Sequence, residues 1–213
     1  MKVKFTNFPK EFKVLKKELF KKFNTICLKG EYVLGKELKD FEKNIQKFLK
    51  VKHALGVGNW TEGTIMVLKA LGYSKGDEII TVSNSFIATC GAIAYEGLVP
   101  KLVDVGQDLN IDVNEVKKKI TKKTKAIMPV HLSGIPSDLD KLKKICKKEN
   151  LDLIEDAAHA FGTKYKNNYI GAIGDVGIFS LHPRKSFHVL GDGGLIVTNN
   201  TSLYKKILLL RNH

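Results

Sequence analysis

Residues 151–194 read LDLIEDAAHAFGTKYKNNYIGAIGDVGIFSLHPRKSFHVLGDGG and contain two short apolar runs, each bounded by polar or turn-forming residues. Short apolar runs of this kind indicate strands that are buried inside a sheet. The first run, Leu151–Ile154, leads directly into the acidic pair Glu155 and Asp156. We therefore predict a buried strand that delivers a carboxylate at its carboxyl end.

The second run, Val176–Leu181, carries a hydroxyl at Ser180 and is followed by an amine at Lys185. A glycine-rich turn then leads into a third apolar run, Leu195–Val197. In an open α/β sheet, ligands bind in the crevice beyond the carboxyl ends of the strands. A pyridoxal phosphate enzyme needs a lysine that forms a Schiff base with the cofactor and an acid that keeps the pyridine nitrogen protonated. Asp156 and Lys185 are candidates for these two groups.

The remainder of the chain alternates between helical and strand patterns. Two amphipathic helices are predicted at the start, and from residue 53 onward short apolar strands alternate with longer helical segments. This alternation predicts βαβ units and a mostly parallel sheet, with Asp112 and Ser137 as helix caps. The expected helices cover residues 10–24, 38–49, 62–71, 86–95, 112–120 and 137–149, with a last helix from residue 201, and the expected strands upstream of residue 151 cover 54–57, 78–82, 101–105 and 126–130.

The formal net charge of +14 raises the question of a nucleic-acid partner. The basic residues are dispersed over predicted polar helix faces, and only Arg184 and Arg211 among the 36 are arginine. Arginine is better suited than lysine to bidentate contacts with phosphates and bases. We therefore expect no nucleic-acid partner and attribute the charge to a general preference for lysine.

The sequence also lacks the features of membrane and secreted proteins. No run of about 18 apolar residues occurs, and the N-terminus has no apolar signal segment. The three cysteines, Cys27, Cys90 and Cys146, are widely spaced and form no CxxC pair. We therefore expect a cytoplasmic protein with no membrane partner, no disulfide framework and no metal site.

Seven motifs in one order identify a resemblance that runs the whole length of the chain. The chain resembles the DegT/DnrJ/EryC1/StrS family of sugar aminotransferases, which use pyridoxal phosphate on a fold-type-I scaffold. The resemblance implies an α/β fold, a three-layer α/β/α sandwich around a mostly parallel sheet. The motifs are GEYVLGKELKDFE, TEGTIMVLKALGYSKGDEIITVSNSFIAT, KAIMPVHLSGIPSDLDKL, LIEDAAHAFG, FSLHPRK, GDGGLIVTN and LRNH.

The resemblance assigns the central chemical roles. Lys185, in FSLHPRK, matches the lysine that forms the Schiff base, and its amine must be partly neutral to attack a carbonyl, so we expect burial to lower its pKa. Asp156, in EDAAHA, matches the acid that pairs with the pyridine nitrogen. His159 matches the position where the family has Gln or His near the 3-hydroxyl of the cofactor.

The resemblance also assigns the phosphate and ring contacts. Ser180 matches a hydroxyl that binds the cofactor phosphate. Thr61, Glu62 and Gly63 match the turn before a helix whose backbone N–H groups hold the same phosphate, and a helix N-terminus is a natural anion site. Phe86, in SNSFIAT, matches the aromatic residue that stacks on the pyridine ring, and ordinary core packing is the alternative for this residue.

Other conspicuous residues receive structural interpretations. Glu155 is expected to be structural because adjacent strand residues point to opposite faces of a sheet. Asp104 is expected to be a structural acid at a strand end, and His131 to shape a loop. Trp60 is a departure from the family, where most members have glycine, and this bulky residue would either alter substrate fit or pack outside the phosphate turn.

The resemblance implies transamination of a nucleotide-linked keto-sugar, with glutamate as the expected amino donor and a homodimer as the expected assembly of the full-length fold. Family chains are longer, so we expect residues 1–213 to hold the N-terminal segment and the large domain, without the smaller C-terminal domain. Two other functions stay open. One is an inactive or regulatory homologue, which intact Lys185, Asp156 and Ser180 argue against. The other is a sugar dehydratase of the same family, a branch in which histidine replaces the lysine.

Overall fold

The computed structural model describes residues 6–212, and the chain divides into two compact units, Met1–Lys43 and Asn44–His213. The first unit holds α1 (Phe8–Lys29), which Asn7 caps by accepting a hydrogen bond from the Lys10 N–H and which ends at Gly30 in a left-handed conformation. The helix α2 (Lys36–Leu49) then leads into the second unit. Within residues 6–212, no helix combines the length and the apolar character that a membrane span requires.

The second unit is built on a seven-stranded sheet with the order β1-β9-β8-β5-β4-β2-β3. Its parallel pairs are β2–β3, β2–β4, β4–β5 and β5–β8, which confirms the predicted mostly parallel sheet. The strand β9 runs antiparallel to both of its neighbours, a direction that the sequence did not indicate. The strands are β1 (His53–Val57), β2 (Glu78–Val82), β3 (Val99–Val103), β4 (Thr124–Met128), β5 (Asp152–Asp156), β8 (Val176–Ser180) and β9 (Gly194–Thr198), and a separate hairpin joins β6 (Lys164–Tyr165) to β7 (Asn168–Tyr169).

Helices cover both faces of this sheet. On one face, α3, α4 and α7 pack over a continuous apolar cluster that includes Ile79, Ile154, Ile178 and Ile196. On the other face, α5 and α6 contact each other and the strands β3, β4 and β5. This layering is the α/β/α sandwich that the resemblance implied. The helices of this unit are α3 (Trp60–Leu71), α4 (Ile87–Tyr95), α5 (Val113–Lys119), α6 (Leu139–Glu149) and α7 (Thr201–Leu210).

Local boundaries differ from the predicted ones at several helix starts. Asp112 caps α5 as predicted, by accepting from the Asn114 N–H. The predicted cap of α6 at Ser137 is wrong, because Asp138 accepts from the Lys141 N–H and so provides the cap. Ser137 instead lies buried, with its own N–H donated to a ring nitrogen of His131.

Candidate functional site

A cleft of about 1080 Å³ opens at the edge of the sheet where β5 and β8 end. Side chains from strand ends, from loops and from the helices α3 and α4 meet there. The lining includes seven of the residues that the sequence singled out, namely Thr61, Glu62, Phe86, Asp156, His159, Ser180 and Lys185. The structure thus brings these seven residues together around one cleft.

Asp156 is the last residue of β5 and retains only 3% of its surface exposed. Burial raises the pKa of its carboxyl to about 6, because a charged group loses its hydration there. Part of this effect is offset by the Ala158 N–H, which donates to Oδ1 over 3.1 Å, and by the nearby charge of Lys185. The carboxyl is therefore mostly ionised at pH 7 but responsive to small changes in its surroundings.

Two hydroxyls that sequence reasoning missed complete the surroundings of this carboxyl. Thr89, buried on α4, donates to Asp156 Oδ2 over 3.3 Å, and the hydroxyl of Ser85 lies 2.7 Å from that of Thr89. Both residues belong to the SNSFIAT motif, which was quoted only for Phe86. Their helical spacing of four residues was the available signal, since it places both hydroxyls on one side of the helix start.

Lys185 lies on the loop that connects β8 to β9 and is half-buried. Desolvation lowers the pKa of its amine, while the nearby carboxylate of Asp156 acts in the opposite direction. This agrees with the expectation that burial would favour a partly neutral amine. Two backbone hydrogen bonds stabilise this loop. The Leu181 N–H donates to Gly193 O over 2.8 Å, and the Val189 N–H donates to Leu181 O over 3.0 Å.

His159 also lines the cleft, and its side chain is exposed at the surface. Its Nδ1 accepts a hydrogen bond from the Ser133 N–H over 3.3 Å, which fixes the orientation of the ring. Partial loss of hydration beside neighbouring protein atoms and the charge of Lys185 lower the pKa of its ring. A neutral ring whose Nδ1 is already occupied offers Nε2–H as a donor toward the cleft.

The start of α3 requires a correction to the predicted phosphate turn. Thr61, Glu62 and Gly63 lie inside the first turn of the helix, because Asn59 is its cap. The N–H of Glu62 donates to Asn59 Oδ1 and the N–H of Gly63 donates to Asn59 O. The remaining first-turn amides, of Trp60 and Thr61, have no acceptor within the helix and are the donors available to an anion.

Glycines bring this helix start close to the end of β8. Gly194 pairs with Ser180 across the sheet, and a Cβ at Gly194 would lie 2.5 Å from the carbonyl of Asn59. Gly63 is buried and does not line the cleft, since its Cα faces Val57 and Ile196 in the sheet. The hydroxyl of Ser180 and the first amides of α3 thus border the same end of the cleft.

Trp60 is the first residue of α3 and packs into the apolar cluster, with 7% of its surface exposed. It also lines the cleft, so it lies at the helix start rather than outside it. Its indole Nε1 is buried without a hydrogen-bond partner among the described residues. Trp60 therefore belongs both to the apolar core and to the lining of the cleft.

Phe86 is 77% exposed and lies at the cap position of α4. The alternative of ordinary core packing is therefore wrong for this residue. An exposed aromatic ring that lines a cleft is suited to stacking against a planar ligand.

The groups that line this cleft fit pyridoxal phosphate. The cofactor needs an anion site for its phosphate, an acid for its ring nitrogen, an amine for its aldehyde and an apolar partner for its ring. The start of α3 with Ser180, the buried Asp156, the half-buried Lys185 and the exposed Phe86 provide one group for each need.

Comparison with known proteins shows the family of the chain. The model of the DegT/DnrJ/EryC1/StrS aminotransferase family matches residues 13–213. A curated relative, the dTDP-3-amino-3,4,6-trideoxy-alpha-D-glucose transaminase of Streptomyces venezuelae, is 34% identical over all of this chain and 56% of its own length. The chain spans about half the length of the curated relatives it matches.

Two solved structures show how closely the fold corresponds. DesV of S. venezuelae, in complex with a ketimine intermediate, superposes with a TM-score of 0.95 at 34% identity, covering 99% of this chain and 57% of its own. NtdA of Bacillus subtilis, with bound cofactor PMP, superposes with a TM-score of 0.87 at 33% identity, covering 92% of this chain and 45% of its own.

Proposed function

Because this chain belongs to the DegT/DnrJ/EryC1/StrS aminotransferase family, whose cofactor is pyridoxal phosphate, we propose that it provides the N-terminal segment and cofactor-binding large domain of a nucleotide-sugar aminotransferase. The proposed reaction moves an amino group from glutamate to a keto group on a nucleotide-linked hexose. The observation that carries the proposal is the convergence of buried Asp156 and half-buried Lys185 on one cleft that also has an anion site.

In this proposal, the bound cofactor supplies an electron sink for the carbanion that forms at the substrate Cα. Lys185 would hold the cofactor and would then remove and return the proton at the substrate Cα, as base and acid in turn. The lowered pKa of Lys185 supports this role, because it leaves more of the amine neutral near pH 7.

Asp156 would hold a proton on the ring nitrogen. An ionised carboxylate stabilises that proton, and a carboxyl with a pKa of about 6 is mostly ionised at pH 7. Thr89 and the Ala158 N–H orient the two carboxylate oxygens. Ser180 and the first amides of α3 would bind the phosphate, and Phe86 would cover the ring and exclude water from one face.

We further propose a homodimeric assembly and a role in the synthesis of surface polysaccharide or glycan. The nucleotide-sugar name of the S. venezuelae relative supports the substrate class. The sugar dehydratase alternative is disfavoured because position 185 is lysine rather than the histidine of that branch.

The decisive test is an absorbance spectrum of the purified chain with pyridoxal phosphate, followed by borohydride reduction and mass mapping. We expect a yellow protein and a reduced adduct on Lys185. Lys185→Arg should abolish both signals, whereas Lys69→Ala, which removes another lysine lining the cleft, should leave them intact. A colourless wild-type chain, or an adduct that persists in Lys185→Arg, would overturn the proposal.

The substrate class is tested by supplying glutamate and a panel of nucleotide-linked keto-hexoses. An aminated sugar and 2-oxoglutarate in equal amounts would support transamination. A deoxygenated sugar with release of ammonia would instead identify the dehydratase reaction.

A further inference from the structure

We propose that Glu155 and His131 are positioning residues that hold Asp156 in place from the face of the sheet opposite the cleft. The functional meaning of the proposal rests on the proposed cofactor role of Asp156, whereas the contacts that carry it are independent of that role. Neither residue lines the cleft, and both side chains have no exposed surface.

Glu155 is a carboxylate at the centre of a dense set of donors. Its Oε1 accepts from the N–H groups of Ile173 over 2.8 Å and Gly174 over 2.6 Å, and its Oε2 accepts from the N–H of Gly171 over 2.8 Å. His131 Nε2 lies 3.2 Å from the same Oε2. A buried carboxylate needs such partners, because an unpaired buried charge is strongly destabilising.

The ring of His131 is fixed at both nitrogens. Its Nδ1 accepts a hydrogen bond from the Ser137 N–H over 3.1 Å, so this nitrogen carries no proton. The proton of the neutral ring is therefore on Nε2 and is donated to Glu155. The ring consequently links the loop after β4 to the side chain of the residue that precedes Asp156.

The backbone of the same loop forms hydrogen bonds with both the N–H and the carbonyl oxygen of Asp156. The N–H of His131 donates to Asp156 O over 3.0 Å, and the N–H of Asp156 donates to Pro129 O over 2.9 Å. Val130 and Asp156 form an isolated parallel bridge beyond the end of β4. These bonds continue the pairing of β4 and β5 as far as Asp156. They therefore fix the backbone that determines where the Asp156 carboxyl lies.

Adjacent strand residues point to opposite faces, so Glu155 and Asp156 act on different sides of β5. The contact between Glu155 and His131 stabilises the loop on one side, and the loop fixes the backbone from which the Asp156 carboxyl projects on the other. A hydrogen bond to a ring nitrogen requires an acid held to within about 0.5 Å, which rigid support from neighbouring residues provides.

The test replaces each nitrogen of His131 separately. His131→Gln places an amide N–H near the position of Nε2 and keeps the donor toward Glu155, whereas His131→Asn keeps an acceptor near Nδ1 and loses that donor. Tyr73→Phe is the matched control, because it removes the Tyr73–Asp152 hydrogen bond at the other end of β5 and leaves the Asp156 end unchanged.

The first readout is a pH titration of the Asp156 carboxyl in the cofactor-free chain, monitored through its 13C NMR shift. A loosened loop changes the hydration and the hydrogen-bond donors of the carboxyl, so we expect the midpoint in His131→Asn and Glu155→Gln to depart from the wild-type value of about 6. His131→Gln should stay near the wild-type midpoint, as should Tyr73→Phe. Equal midpoints in all folded variants would overturn the proposal, and Glu155→Gln serves if His131→Asn does not fold.

The second readout is the 15N shift of the ring nitrogen of labelled pyridoxal phosphate. In His131→Asn we expect a shift toward that of the unprotonated ring, which a purely structural role of His131 would not produce in the folded fraction. If the wild-type chain binds no cofactor, the proposed function fails, but the carboxyl titration still decides whether His131 and Glu155 position Asp156.

Discussion

The hydroxyl of Thr89 donates a hydrogen bond to Oδ2 of Asp156 over 3.3 Å and so connects the start of α4 to the end of β5. Because the Thr89 proton is directed to the carboxylate, Ser85 is the donor in the 2.7 Å contact between the two hydroxyls. The result is a short relay of hydrogen bonds that ends on the acid. Hydrogen bonds to a charged group stabilise it more than bonds between neutral groups do.

Thr89→Val should raise the pKa of Asp156 further, because a donor that favours the ionised form is lost. We expect an increase of about 1 pH unit, and a smaller increase for Ser85→Ala, which removes only the second member of the relay. The measurement is the 13C titration of the Asp156 carboxyl. Thr64→Val removes a buried hydroxyl that donates to Trp60 O and should leave the midpoint unchanged.

Asp156→Asn should stabilise the cofactor-free chain at neutral pH. The folded carboxyl, with a pKa of about 6, binds a proton more tightly than the unfolded one, at about 3.9. The folded state therefore loses stability as pH rises from about 4 to about 6, by about 3 kcal/mol in total. The variant lacks this loss, so urea unfolding should show it to be more stable than the wild-type chain at pH 7.5 and similar to it at pH 4.

The control for this experiment is Asp104→Asn, which replaces an exposed acid at another strand end. It should leave the difference in stability between pH 4 and pH 7.5 as it is in the wild-type chain. If Asp156→Asn is less stable than the wild-type chain at pH 7.5, the carboxylate is a net stabilising group and its raised pKa is incorrect.

Two substitutions at Asn59 allow the stability of α3 to be measured separately from its binding of an anion. Asn59→Ala removes the cap of α3 and should cost about 1 kcal/mol in the free energy of unfolding. Asn59→Asp keeps a capping oxygen but adds a negative charge beside the amides of Trp60 and Thr61, so the Kd for pyridoxal phosphate should rise about tenfold or more. Absorbance titration measures the Kd and urea unfolding measures the stability. Unchanged affinity in a stable Asn59→Asp would place the phosphate elsewhere.

Gly194 and Gly91 form a second matched pair. A Cβ at Gly194 would lie 2.5 Å from the backbone of Asn59, so Gly194→Ala must displace the start of α3 and should destabilise the chain by about 1–3 kcal/mol. Gly91 lies exposed inside α4 with no atom within 4 Å of its added Cβ. Gly91→Ala should therefore stabilise by about 0.5–1 kcal/mol. Equal effects of the two changes on urea unfolding would contradict the close approach of β9 to α3.

The positions of Asp156, Ser180 and Lys185 were predictable because each follows from an apolar run, and a run shows in the sequence where a strand ends. The direction of β9 was not predictable in this way, since an apolar run of five residues has the same pattern whichever way it enters the sheet. Strand direction is determined by long-range pairing with β1 and β8.

Other features depend on choices between neighbouring residues of similar chemistry. Ser137 and Asp138 are both good helix caps, and tertiary contacts decide between them, because the N–H of Ser137 is held by His131. The hydrogen bond from Thr89 to Asp156 joins residues far apart in sequence, and no local sequence pattern predicts such a contact. The β6–β7 hairpin consists of two-residue strands, which are too short for any periodicity.

The place of β9 in the sheet has a consequence for synthesis of the protein on the ribosome. The edge strand β1 is among the first to emerge, yet its partner in the sheet is β9, the last strand of the unit, and β9 also covers the open side of β8. The strands β2 to β5 can pair while translation continues, but β1 cannot pair until β9 has been synthesised. Contacts between segments this far apart form slowly. We therefore expect a nascent chain that stops short of residue 198 to expose the unpaired edges of β1 and β8 to chaperones and proteases.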